Sequence, residues 1–224
     1  MNDGELTGQA HSHIAAVADP PCQLHAQVVA PFLNLRRAAQ AEGIDLAPTS
    51  SFRDFARQLK IWNGKFSGER PMQSASGARL DVAALRPRER IDAILLWSAL
   101  PGASRHHWGT DLDLVDRSLS EAGYQIKLTP EEFAPGGPFE KLDRWLTLHA
   151  PRFGFFRPFQ GVRSGVQPEP WHFSFAPIAE KARQRLTPQV LRTAIAGAPL
   201  LGKDVVLEHL DELHARYVAA IDLP

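Results

Sequence analysis

The chain reads as an α+β protein: a small antiparallel sheet, packed by helices, presents one chemically active face and is followed by a helical C-terminal extension. Three observations predict this. Apolar residues recur at helical spacing towards both ends of the chain, and short period-two segments fill the middle. Those segments also place imidazoles and carboxylates together on one side of a strand, with aliphatic and aromatic side chains on the other.

Residues 1–22 are polar and rich in small side chains up to Pro20 and Pro21, which suggests a flexible lead-in. A folded domain is expected over residues 23–180, with the helical extension, residues 181–224, packed on it. From Gln23 to Glu42, Leu24, Val28, Phe32, Leu35 and Ala39 form the stripe of an amphipathic helix ending near Gly43. Ile44 to Ser50 is short and alternating and suits a strand. Ser50 to Trp62 starts as a loop and becomes a helix, with Phe55, Leu59 and Trp62 on its buried face and Ser51 or Asp54 as its cap. Asn63 to Ala84 lacks periodicity and reads as a long surface loop, of the kind that forms lids and substrate walls. Pro87 to Trp97 is a helix with proline in its first turn.

Thr110 to Val115 alternates, so Asp111 and Asp113 share one face while Leu112 and Leu114 share the other. Gln125 to Leu128 is expected as an edge strand, Pro138 to His149 as a helix, and Phe153 to Arg157 as a strand. In Trp171 to Phe175 the three aromatics share one face, with His172 and Ser174 opposite them. Three helices are expected after Pro177, over 178–186, 188–195 and 203–221, their aliphatic stripes reading as packing surfaces.

Composition narrows the function. The 25 basic side chains balance 25 acidic ones, so no net field draws the protein to nucleic acid or an anionic membrane. A single cysteine, Cys22, excludes an internal disulfide framework. No run is long enough for a membrane span. Without a basic and apolar leader at its start, the chain as written reads as cytoplasmic, or as periplasmic or wall-associated if a leader was removed.

The chemistry concentrates in Ser104–Leu114, which holds His106, His107, Asp111 and Asp113 around Gly109, and in Glu169–His172. Imidazole and carboxylate are the ligands zinc takes where thiolates are lacking. Two imidazoles and one carboxylate, as in His106, Asp113 and His172, leave a fourth tetrahedral position open, the arrangement of a catalytic zinc rather than a structural one. His107 is the alternative to His106, and the two aspartates are equally consistent with an ordinary strand end. Glu169 sits three residues before His172 and reaches the same region from the turn before the strand, as a positioned acid/base would.

These blocks resemble a known family. Ser104-x-His106-x-x-Gly109-x-x-x-Asp113, followed by Glu169-Pro170-Trp171-His172, is similar to the S-x-H-x-x-G-x-A-x-D and E-x-W-H patterns of the zinc D-alanyl-D-alanine carboxypeptidases and dipeptidases, the vancomycin-resistance-type metallopeptidases. Upstream, Ser50 to Gln58 resembles their S-G-Y-R-S-x-x-x-Q segment, so the likeness spans roughly residues 25–180. The resemblance implies one zinc ion bound by His106, Asp113 and His172, with Glu169 as the catalytic base. It also implies that Arg53 holds the substrate's C-terminal carboxylate, a role suited to a planar guanidinium fork. Gln58 then orients the site or is a plain helix-surface amide, and Ser104 bonds substrate or caps its loop.

Several positions depart from the pattern. Asp111 replaces alanine and adds a carboxylate, with Arg105, Arg157 or Arg163 as possible partners. Ser51 and Phe52 replace glycine and tyrosine, and Ser174 stands where arginine is common. The expected activity is hydrolysis of the terminal bond of a short cell-wall peptide that ends in a free carboxylate. The alternatives are a murein peptide endopeptidase, for which residues 63–84 would lie away from an open cleft, and a zinc-stabilised peptide-binding module without turnover. The oligomeric state stays open.

Overall fold

The structure is a computed structural model and describes residues 1–161 and 165–224. Residues 1–22, read from the sequence as a lead-in, form a helical turn α1 (Asp3–Leu6) and a strand β1 (Ile14–Val17), which pairs antiparallel with β2 (Cys22–His25). Leu6 is fully buried, and its carbonyl accepts a hydrogen bond from Trp108 Nε1 at 3.1 Å. The apolar stripe from Leu24 is therefore not one helix. Leu24 faces Ala15 in the hairpin, a turn follows, and helix α2 spans Val29–Ala41.

A second sheet contains β3 (Leu46–Ser50), β4 (Asp111–Asp116), β5 (Phe155–Phe156) and β6 (His172–Phe175) in the spatial order β3-β4-β6-β5, with every pairing antiparallel. Leu112 and Leu114 on β4, with Phe173 and Phe175 on β6, enter a core built with α2 and with helix α7 (Glu140–His149). Each fully buried side chain of this size is worth about 1.5–3 kcal/mol. Period-two geometry then turns Asp111, Asp113, His172 and Ser174 to the opposite face.

A second core is mainly helical. It involves α3 (Phe55–Ser67), α4 (Pro87–Leu95), and beyond the sheet α8 (Ala176–Arg185), α9 (Pro188–Ala196), α10 (Lys203–Glu208) and α11 (Leu210–His214). Asp54 caps α3, its carboxylate accepting from the Arg57 N–H at 2.7 Å; Ser51 does not. Asn63 to Ser67, expected in a loop, are the last turn of α3, which ends at Gly68 in the left-handed region. The expected single helix 203–221 is broken at His209 and ends in a wide turn over Ala215–Ala219.

Two short helices, α5 (Arg117–Glu121) and α6 (Pro130–Phe133), lie between β4 and α7. The expected edge strand at Gln125–Leu128 does not form. Lys127 and Thr129 instead donate their N–H groups to the Glu132 carboxylate at 3.0 and 3.1 Å, which satisfies locally what a strand ladder would use.

Candidate metal centre

The antiparallel register builds the centre. Asp113 faces His172 and Asp111 faces Ser174 across β4 and β6, while Asp113 faces Ser50 across β3. His106 enters from a 3-10 turn (Arg105–Trp108) just before β4, closed by Gly109 at φ 64. A Cβ on Gly109 would stand 2.5 Å from the His25 nitrogen and from Ile14 Cδ1, so the motif glycine is required both for its backbone angle and for contact with the β1–β2 hairpin.

The two imidazoles are held in complementary orientations. His106 Nδ1 lies 2.8 Å from the Ser51 carbonyl, so that nitrogen carries the proton and donates it, leaving the Nε2 lone pair towards Asp113 Oδ2 at 3.5 Å. His172 is turned the other way: its Nε2 lies 2.9 Å from Asp111 Oδ1, and its Nδ1 lies 3.2 Å from both Asp113 Oδ1 and Glu169 Oε2. Ligand atoms of His106, Asp113 and His172 all lie within 4.8 Å of one another.

These residues fit a cation. All three are buried, and Asp113 Oδ1 accepts no well-aligned hydrogen bond, although His172 Nδ1 lies 3.2 Å from it. A carboxylate oxygen so placed, facing two imidazole nitrogens, is costly unless a positive charge sits among them. Burial pushes the His106 pKa down to about 3, against the attraction of Asp113, so the ring is neutral and its nitrogen available. Burial acts in the same direction on His172, but the carboxylates of Asp111, Asp113 and Glu169 beside it outweigh that and raise its pKa well above the ordinary value, so a bound cation would take the place of a ring proton. Two nitrogens and a carboxylate are a zinc-type donor set.

Asp111 is not a further member of that set. Its fully buried carboxylate accepts from Arg105 Nε at 2.8 Å, Thr110 Oγ1 at 2.6 Å and Ser174 Oγ at 3.0 Å, besides His172. Arg105 also donates to Ser174 at 2.6 Å, and its guanidinium lies 4.8 Å from the Trp108 ring centre. Arg157 pairs instead with Asp143 at 2.6 Å, and Arg163 lies outside the described residues. His107 faces away from the cluster: it is fully buried, its Nδ1 meets the Arg53 carbonyl, and its Nε2 accepts from the Gly102 N–H at 3.2 Å.

Glu169, 14% exposed, reaches the centre from the turn before β6. Burial raises its carboxyl pKa, partly offset by His172. Arg53 donates to Gln58 Oε1 at 2.8 Å and to Ser50 Oγ at 2.9 Å; its buried Nε has no partner. Gln58 is fully buried, not a surface amide, and passes the tether on from its Nε2 to the Ala99 carbonyl at 2.7 Å. Ser104 is buried beside His106, and its side chain makes no cap to the turn. A cleft of about 360 Å³ opens over all of these, Arg53, Ser104, His106, Asp113, Glu169 and His172 among its walls. Sequence reading did not select Lys65, Ser98 or Tyr217, which line it too. Lys65 lay in a stretch without periodicity, and Tyr217 on a stripe that reads as packing.

Two imidazoles and a carboxylate converge beside Glu169, in a cleft with an arginine at its wall, and form a candidate metal centre on this α+β sheet. The chain belongs to the D-alanyl-D-alanine carboxypeptidase (VanY) family, whose model matches residues 21–178, and this is a family of metallopeptidases. A Haemophilus influenzae protein described only as uncharacterized is 39% identical over 121 residues, 53% of this chain and 92% of that one. An Enterococcus faecalis D-alanyl-D-alanine carboxypeptidase is 26% identical over 154 residues, 67% of this chain and 47% of that protein. Among solved structures, VanYB in complex with D-alanine-D-alanine superposes with a TM-score of 0.52 at 20% identity, over 85% of this chain and 92% of that chain. A vancomycin-resistance D,D-pentapeptidase VanY variant in complex with Zn(II) gives 0.53 at 21% identity, over 88% and 91%. These two share the fold. No helix among the described residues is long and apolar enough to cross a membrane.

Proposed function

We propose that this chain is a zinc-dependent carboxypeptidase that hydrolyses the terminal peptide bond of short cell-wall peptides of the D-alanyl-D-alanine type, with one zinc ion held by His106 Nε2, Asp113 and His172 Nδ1. The observation that carries the reading is the convergence of those ligand atoms within 4.8 Å, with Glu169 Oε2 3.2 Å from His172 Nδ1. Zinc in such a site supplies a Lewis acid to the scissile carbonyl and to the attacking water.

The chain's own residues do the rest. Arg53, its fork oriented by Gln58 and Ser50, binds the substrate's terminal carboxylate at two points. Glu169 takes a proton from the water as its oxygen adds to the carbonyl carbon, and delivers a proton to the leaving amine as the C–N bond breaks. Its burial-raised pKa favours both transfers. Ser104 lines the cleft beside His106 and offers its hydroxyl to the substrate. The helical extension, residues 181–224, contributes Tyr217 and Val218 to the lining of the cleft.

Lys65 and Gln73, from the segment expected to stand clear of an endopeptidase cleft, also line the site, which favours removal of a terminal residue over cutting within a chain. A binding module has no use for Glu169. The test is Glu169→Ala: zinc per chain is retained, while turnover of a peptide ending in D-alanyl-D-alanine falls at least about a hundredfold. Undiminished turnover in the zinc-loaded variant refutes the mechanism.

A further inference from the structure

Among the described residues two arginines and one lysine line the cleft: Arg105 is paired with Asp111, Arg53 is assigned to the terminal carboxylate of the proposed substrate, and Lys65 is the third. It sits on the last turn of α3, half-buried, and its ammonium donates to Ser98 Oγ at 2.9 Å. Among the described residues no carboxylate lies within 4 Å of it, although nearly every other deeply placed basic side chain here has one, Arg36, Arg105 and Arg157 included. Glu169 attracts Lys65 from a distance, while Arg70 and Arg53 repel it.

A half-buried ammonium with one hydroxyl partner is poorly compensated. The helix C-terminus gives it some support, but that does not require the side chain to line the same cleft as Ser98, Trp97 and the metal centre. Burial brings its pKa down to about 8, which leaves it mostly protonated at neutral pH and short of a counter-charge.

We propose that Lys65 and Ser98 form a second anion subsite, and that the substrate is an acidic peptide with a carboxylate upstream of the scissile bond in addition to its C-terminal one. The inference rests on the carboxypeptidase reading. From Phe55, the first residue of α3, to Lys65 on its last turn the backbone rises about 15 Å at the helical rise per residue, and Arg53 lies two residues before Phe55. An extended peptide advances roughly 3.4 Å per residue. Allowing for the two long side chains leaning into the cleft, the second carboxylate belongs about two to four residues from the C-terminus.

The test uses the zinc-loaded full chain and pentapeptides ending in D-alanyl-D-alanine, in pairs that differ by glutamate against glutamine at the first, second or third residue, which stand four, three and two residues before the C-terminal one. At one of these positions the wild-type kcat/KM favours the acidic peptide about tenfold, through KM, as expected for one charge-assisted contact. Lys65→Met, which keeps the aliphatic stem, brings that ratio close to one, and Lys65→Arg restores most of it; melting curves confirm that both variants are folded. A wild-type ratio near one at all three positions, or a preference that survives Lys65→Met, overturns the subsite. If neither peptide of any pair is cleaved by wild type, it is the carboxypeptidase reading that fails. Calorimetric binding of the same pairs to zinc-loaded Glu169→Ala, with and without Lys65→Met, then decides the subsite without turnover.

Discussion

Asp111 is the sharpest place to test how the proposed zinc centre is held. Four donors converge on its two oxygens: His172 Nε2, Arg105 Nε, Thr110 Oγ1 and Ser174 Oγ, at 2.9, 2.8, 2.6 and 3.0 Å. Asp111→Asn keeps the volume but offers one oxygen and one NH2, so one side of the site now sets donor against donor. A buried donor left unsatisfied costs about 1–3 kcal/mol, and a chain of this size loses roughly 2–4 °C of Tm per kcal/mol, so the zinc-free variant should melt roughly 2–12 °C lower. Loss of the carboxylate that orients a ligating imidazole costs about 10–100-fold in metal affinity, or about 1.4–2.7 kcal/mol. The assay is competition for zinc against a chromophoric chelator, with a melting curve on the same sample to establish a cooperative fold. A folded Asp111→Asn that binds zinc as tightly as wild type would show that His172 does not need Asp111 for its orientation. Asp111→Ala is the poorer probe: it strands Arg105 in the interior, and breaking such a buried pair costs about 3–5 kcal/mol.

Other perturbations address the neighbouring parts. Arg53→Ala should weaken a peptide with a free C-terminal carboxylate by about 1.5–3 kcal/mol and leave a C-terminally amidated peptide nearly untouched; equal losses on both would remove Arg53 from the carboxylate role. Zinc at a hundred times its Kd should stabilise the fold by about 2.7 kcal/mol, a rise of roughly 5–10 °C in Tm that EDTA reverses, and His172→Ala should abolish it; an equal rise in that variant would place the ion elsewhere. Gly109→Ala should cost at least about 2 kcal/mol, since it combines a left-handed backbone angle with a Cβ 2.5 Å from the His25 nitrogen; denaturant unfolding with an unchanged midpoint would refute the requirement for glycine there.

Much of the sheet was legible because β geometry is local. Asp111, Asp113, His172 and Ser174 fall on one face by alternation alone, and the apolar positions between them pack in the core. The misreadings share a cause: a local pattern met competition from partners outside the stretch that shows it. The stripe from Leu24 satisfies helical spacing, yet β1 offers Leu24 a ladder, and the helix starts only at Val29. The stretch 125–128 looks like a strand, but the Glu132 carboxylate takes the N–H groups of Lys127 and of Thr129 just beyond it. Gln58 looks like a surface amide because its partners, Arg53 and the Ala99 carbonyl, become its neighbours only on folding.

By itself the sequence determined the donor types, their placement on one side of two strands, and the family pattern linking Ser50–Gln58, Ser104–Asp113 and Glu169–His172, because these depend on residue chemistry and on periods of a few residues. Only the tertiary structure decided the register that sets Asp113 opposite His172. It also decided the opposite orientations that Ser51 and Asp111 impose on the two imidazoles, and the arrival of Lys65 and Tyr217 at the cleft. Those are long-range pairings: their partners lie tens of residues apart, and packing the two cores against the sheet brings them to within a few ångströms.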